Sequence, residues 1–189
     1  MIKDLILKNR SYRRFDARAA LEEQTLRELV DLARQSGSAA NMQPLRYILS
    51  WQAKRNALIF QHLRWAGYLE DWDGPVENER PTGYIIILAE AGNKFVNFDA
   101  GIACQSMLLG ATERGLGGCM FGSIDREELQ RKLAIPAEFS IVLIVALGKP
   151  VEKVVLEEVG PDGSIKYWRD EQAVHHVPKR KLDHIIMDL

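Results

Sequence analysis

Asn9-Arg10-Ser11-Tyr12-Arg13-Arg14-Phe15 gathers three guanidinium groups and a hydroxyl into one short segment. Arginine's planar fork meets phosphate oxygens two at a time, and a neighbouring serine adds a hydroxyl bond, so this cluster suits a phosphomonoester. Further on, Ser38-Ala39-Ala40-Asn41-Met42-Gln43-Pro44 offers amides instead. Asn41 and Gln43 each carry donors and an acceptor, the complement of a planar heterocycle with alternating carbonyls and ring nitrogens. Each segment alone has an ordinary explanation. A basic cluster near an N-terminus is commonly a solvated face, here with Asp4 and Asp16 as ion-pair partners, and the second segment also reads as an Asx-type turn between a helix and a strand.

The surrounding pattern predicts how these segments are carried. Leu21 to Ser36 places Leu26, Leu29, Val30 and Ala33 on one helical face, with Gly37 as the terminator, so the amide segment is a loop leaving a helix end. Leu45–Trp51, Tyr84–Ala89 and Phe139–Leu147 read as strands, the second continuous enough to be buried on both faces and the third the strongest of them. Phe98–Arg114 is dense in Ala, Gly, Leu and Met with charge only near its ends, a helix apolar almost all round. Such a helix belongs in the core of one chain or at a subunit interface. The turn-rich stretch from Asp71 to Gly83 is long enough for a lid or a surface excursion, and Gly160-Pro161-Asp162-Gly163 favours a hairpin between Val154–Leu156 and Ile165–Trp168. Helices alternating with at least three apolar strands give an α+β fold. Residues 1–189, 47% hydrophobic and 27% charged, fit one domain.

Composition narrows the partners. A formal net charge of −1 provides no general basic field, which disfavours nucleic acid and anionic membrane surfaces, so any anion site is local. No apolar run reaches the roughly 18 residues of a membrane span, and MIKDLILKNR does not read as a signal peptide. With only Cys104 and Cys119 there is no disulfide framework, and a cytoplasmic location is expected. Cys119 has no paired histidine or second thiol at redox spacing and reads as a small buried residue. His175 and His176, being adjacent, point to opposite sides of an extended chain, and no metal is expected. Trp65, Trp72 and Trp168 read as packing residues, although a tryptophan between 65 and 73 could also wall a pocket.

Order and spacing add what single motifs lack. RSYRRF, SAANMQP, GLGGCMFGSID from Gly115 to Asp125, LGKP from Leu147 to Pro150, and Lys179-Arg180 follow one another in a series that resembles the FMN-dependent nitroreductase family from about Lys8 onward. The resemblance implies a nitroreductase-like fold with a central, mostly antiparallel sheet flanked by helices. It also implies an intertwined homodimer with FMN between the subunits and the Phe98–Arg114 helix at the junction, where a charge at Leu108 or Leu109 would break assembly. By resemblance, Arg10, Ser11 and Arg13 grip the FMN phosphate and ribityl chain, with Lys179 and Arg180 assisting. Ser38, Ala39, Asn41 and Gln43 reach the flavin from the other subunit, with Pro44 holding Gln43 extended. Gly122 and Ser123 present backbone to the flavin's N5 edge. Asn9 stands where the family often has arginine, and Leu45 where it usually has an aromatic.

The implied activity is hydride transfer from NADH or NADPH through flavin to a small electron-poor acceptor such as a nitroaromatic or quinone. No catalytic side chain is required, because the flavin carries the chemistry. A GxGxxG fingerprint after a strand is absent, consistent with a nicotinamide that docks on flavin only transiently. A flavin-binding sensor or carrier, or another reaction on the same fold such as dehalogenation or flavin destruction, would use the same residues.

Overall fold

Three apolar runs form the centre of the molecule, as their composition requires. The computed structural model describes residues 1–188. Its helices are α1 (Ile2–Lys8), α2 (Glu23–Arg34), α3 (Ala53–Phe60), α4 (Val96–Glu113) and α5 (Arg126–Lys132). Its strands are β1 (Leu45–Ser50), β2 (Gly83–Glu90), β3 (Gly117–Phe121), β4 (Phe139–Gly148), β5 (Val154–Glu158), β6 (Trp168–Arg169) and β7 (His175–Lys179). The main sheet runs β1-β2-β4-β3, with every neighbouring pair antiparallel.

Alternation along β2 divides the core into two layers. Ile85 and Ile87 face α2 and α4, packing with Leu26, Leu29, Met107 and Leu108. Tyr84, Ile86 and Leu88 face the other way, onto Ile59 of α3 and Leu129 of α5. Only Glu90 at the end of β2 is exposed, which is why the run shows no polar alternation.

The glycine-dense segment proves to be strand β3, and the glycines explain how the N-terminal cluster docks. A Cβ on Gly117 would lie 2.5 Å from the Tyr12 ring, and one on Gly118 would lie 2.5 Å from the Ala146 carbonyl oxygen. No real Cβ tolerates either distance. The bare backbone lets Ser11 bridge Gly118, with the Tyr12 N–H donating to the Gly118 carbonyl at 3.0 Å.

Two expectations need correction, and one open alternative is resolved. The predicted hairpin does not form: β5 pairs in parallel with β7, and β6 pairs with β7 from its other side, giving the order β5-β7-β6. The later strand inserts between the two segments that sequence would have joined. The 71–83 stretch takes the second of its two readings, a surface excursion, pinned where the Glu79 and Asn78 carbonyls accept the Phe15 and Ala17 N–H groups at 2.9 and 3.1 Å. Glu79 also holds Arg14 through two contacts of 2.6 Å. Finally, Gln43 is not extended before Pro44. It has φ of 49°, and Ala40 and Asn41 share that left-handed region.

Helix α4 is covered by its own chain on most sides, through Ala100, Ala103, Cys104, Met107, Leu108 and Ala111. Its remaining face carries Phe98 at 67% exposure and Ile102 at 44%. Leu108 is therefore core in this chain, and a charge there would disturb folding before it tested assembly. No described helix is long and apolar enough to cross a membrane.

Candidate functional site

Arg10, Ser11, Arg13 and Lys179 line one cavity of 280 Å³. Asn9 joins them from the chain leaving α1, while Gln105 and Leu108 of α4 and Met120 of β3 form another wall. From β7, the alternate residues His175, Val177 and Lys179 face inward, as a period of two requires. Three side-chain cations line this space and no carboxylate does. Neither Asp4 nor Asp16 is drawn into the cluster, since Asp4 holds the N-terminal ammonium and Asp16 holds Arg18. Arg14, the third guanidinium of the segment, is spent on Glu79, whose carboxyl it holds below the usual range.

Behind the cavity lies Glu152, buried and absent from the candidate residues predicted by sequence. Its carboxylate accepts the Arg13 and Arg14 backbone N–H groups and the Arg169 guanidinium, the last at 3.1 Å. One buried anion thereby fixes the turn that aims Arg13 and offsets cationic crowding. His175 contributes a second support. An arginine N–H can only donate, so the 3.2 Å contact between Arg13 Nη1 and His175 Nε2 makes that nitrogen the acceptor and leaves the proton on Nδ1. Burial, with Arg13, Arg169 and His176 nearby, lowers the His175 pKa to about 4. The Tyr167 ring lies 4.8 Å beneath the Arg13 guanidinium and 5.1 Å from the His175 ring. His175 Nδ1 and Arg10 Nε are both buried without a partner.

Cys119 is buried beside Ser11, and burial pushes its thiol pKa up, so it acts as a small packing residue. His176 faces away from the cavity, stacked on Trp168 at 4.0 Å and placed between Glu157 and Asp170. Among the described residues no group of three or more His, Cys, Asp or Glu side chains is placed to hold a metal ion.

The amide loop lies elsewhere. Ser38 and Gln43 line a second cavity of 290 Å³, with Asp99 of α4 and Tyr47 of β1. Asp99 is buried and accepts the Ser38 hydroxyl at 2.6 Å and the Ala39 N–H at 3.0 Å. The Ser38 hydroxyl oxygen in turn accepts the Gln43 N–H at 2.9 Å. These bonds hold a loop with three non-glycine residues at positive φ, each conformation costing about 1–3 kcal/mol. The Gln43 amide donates to the Asn41 carbonyl at 3.2 Å. This cavity and the cationic one share no lining residue. Gly122 and Ser123 lie beyond the end of β3, exposed, with the Ser123 carbonyl accepting the Arg64 N–H at 3.1 Å. Arg180 is exposed and, like Gly122 and Ser123, lines neither cavity.

The nitroreductase family model matches residues 6–149, most of the chain. The chain belongs to the nitroreductase family. Solved structures agree on the fold. A nitroreductase family protein from Clostridium novyi NT superposes with a TM-score of 0.65 at 19% identity, covering 94% of each chain. An oxidoreductase containing FMN gives 0.67 at 22% identity, over 97% of this chain and 89% of that one. An FMN-dependent nitroreductase from Clostridium difficile R20291 gives 0.65 at 21% identity, over 81% and 89%. No curated protein matches the chain. The family match ends at Lys149, so the β5-β7-β6 sheet, with its His175 and Lys179, lies beyond it.

Proposed function

We propose that this chain is an FMN-dependent oxidoreductase that takes hydride from NADH or NADPH and delivers two electrons to a small electron-poor acceptor such as a nitroaromatic or quinone. The observation that carries this reading is the carboxylate-free cavity lined by Arg10, Arg13 and Lys179. The residues present fit a phosphomonoester. The two arginines offer bidentate donors, the Ser11 hydroxyl adds a neutral one, and the unpartnered Arg10 Nε and His175 Nδ1 are donors awaiting an acceptor. When bound, FMN would supply acceptance and release of two electrons as hydride. The chain's task is to hold the phosphate, orient the ring and shield it from water.

The amide loop is proposed to act on the flavin of a second subunit in a homodimer. Three observations support this. Ser38, Asn41 and Gln43 do not reach the cationic cavity of their own chain. Phe98 and Ile102 leave an apolar face on α4, and Gln105, one turn further along that face, lines the cavity. Asp99 on the same helix anchors the loop, so a partner seated on α4 would bring a loop with it. Gly122, Ser123 and Arg180 are assigned to the same assembled site.

Anaerobic titration with NADH and then NADPH tests the reading. Bleaching of the flavin band by at least one donor, with recovery on adding menadione or a nitrofuran, is the expected result. A bound flavin that stays oxidised under both donors would make the protein a flavin carrier or sensor.

A further inference from the structure

A third cavity, of 230 Å³, opens on the opposite face of the sheet from α4. It sits between the end of β1, helix α3 and the strap preceding β2, and shares no lining residue with the other two. Trp51, Phe60, Ala17 and Ala57 give it apolar walls. Most polar groups in it are already spent. Asn56 accepts the Ser50 hydroxyl at 2.7 Å and donates to the Thr82 carbonyl at 2.8 Å, while the Thr82 hydroxyl donates to the Ala19 carbonyl at 2.9 Å.

Two donors are left over. Tyr84 is fully buried, yet its hydroxyl has no partner, and the Arg80 Nε is likewise buried and unpartnered. The Arg80 guanidinium lies 4.2 Å from the centre of the Phe60 ring, and no carboxylate pairs with it among the described residues. Arg80 and Tyr84 both line this cavity, which places the two donors in one locality. A buried hydroxyl left unpaired is destabilising, because it has given up water and gained no partner. An acceptor bearing negative charge would satisfy both groups at once.

We infer that this cavity is a separate small-molecule site that takes a single-ring monocarboxylate, its carboxylate on Arg80 and Tyr84 and its ring against Trp51 and Phe60. Size and charge fix the class. The space falls below the roughly 300–1,000 Å³ of drug-sized ligand pockets, which limits the body to about one ring. A planar monoanion matches the arginine fork, whereas a dianion would bring surplus charge towards Glu77, which also lines the cavity.

Benzoate added to the purified protein with its bound cofactor is the probe, followed by calorimetric titration and thermal melting. Saturable binding is expected, weakened at least tenfold by Tyr84→Phe and by Arg80→Gln, and abolished by Ala57→Leu, which fills the space from α3. Without benzoate, Tyr84→Phe should melt no lower than the parent, because it removes an unpaired hydroxyl. A clearly lower melting temperature in Tyr84→Phe, or benzoate affinity unchanged by all three substitutions, overturns the proposal. Binding that perturbs the flavin band and survives all three places benzoate at the flavin and also overturns it. A protein that carries no flavin yet binds benzoate through Tyr84 would leave this site standing while the cofactor reading fails.

Discussion

The cationic cavity and the amide loop are built on opposite plans. The cavity is assembled within one chain: β3 glycines admit the N-terminal segment, β7 supplies alternate side chains, and Glu152 anchors the turn from behind. The loop is anchored just as firmly, by Asp99, yet it lines a different cavity and lies beside an α4 face that its own chain leaves bare. One region is complete in itself; the other, on the proposed reading, is finished by a second copy of the chain. Substitutions should therefore separate into those that weaken an anion site locally and those that remove the whole assembly.

The largest effect is expected from Ile102→Glu. Ile102 is 44% exposed and outside the core, so the charge should leave the chain folded while abolishing both dimer and flavin retention. Circular dichroism with gel filtration would check this, and an unchanged dimer would break the comparison. Next come Arg13→Ala and Arg10→Ala, each expected to weaken FMN binding by about 1.5–3 kcal/mol, the range for hydrogen bonds to charged groups. Arg55→Ala, at an exposed position, should change it little. Equal losses at all three, measured by fluorescence titration, would replace a local site with a diffuse field.

How much of this was legible beforehand follows physical lines. Strand YIIILA announces itself because both faces are buried, FSIVLIVAL through its long apolar run, and α2 through its spacing of Leu26, Leu29 and Ala33. The β7 segment HHVPK has no apolar alternation and pairs in parallel with β5, a distant partner, so nothing local marks it. Strand β3 was hidden because its glycines answer to neighbours, Tyr12 and Ala146, that a linear reading does not place beside it. Arg10, Ser11, Arg13 and Lys179 were found as chemistry and prove to share a cavity, whereas Glu152 and Asp99 were missed. A lone acid in sequence carries no mark of burial; Asp99 in an otherwise apolar helix was the nearest to a signal.

His175 supplies a smaller effect, with a sign fixed by its lowered pKa. The unfolded imidazole protonates near 6.5 and the folded one near 4, so the unfolded chain holds the extra proton between those values. The stability that neutral His175 contributes is thus present above pH 6.5 and lost as pH falls towards 4, on the order of 3 kcal/mol. His175→Gln should flatten that part of the pH–stability curve in denaturant titrations, and an identical curve would show that the histidine titrates freely. Smaller still, Asp99→Asn should cost about 1 kcal/mol by weakening its bonds to Ser38 and Ala39, and should loosen flavin binding without altering phosphate affinity. Titration with FMN and with inorganic phosphate separates the two, and equal losses for both would join the regions that the structure keeps apart.

Sedimentation velocity recorded at protein and flavin wavelengths together tests the central claim most directly. The account predicts one species of twice the 21.4 kDa chain mass, carrying about one FMN per chain, with no flavin in any monomer fraction. A monomer carrying flavin at full occupancy would contradict the shared site, and a colourless protein that takes up no added FMN would contradict the cofactor itself.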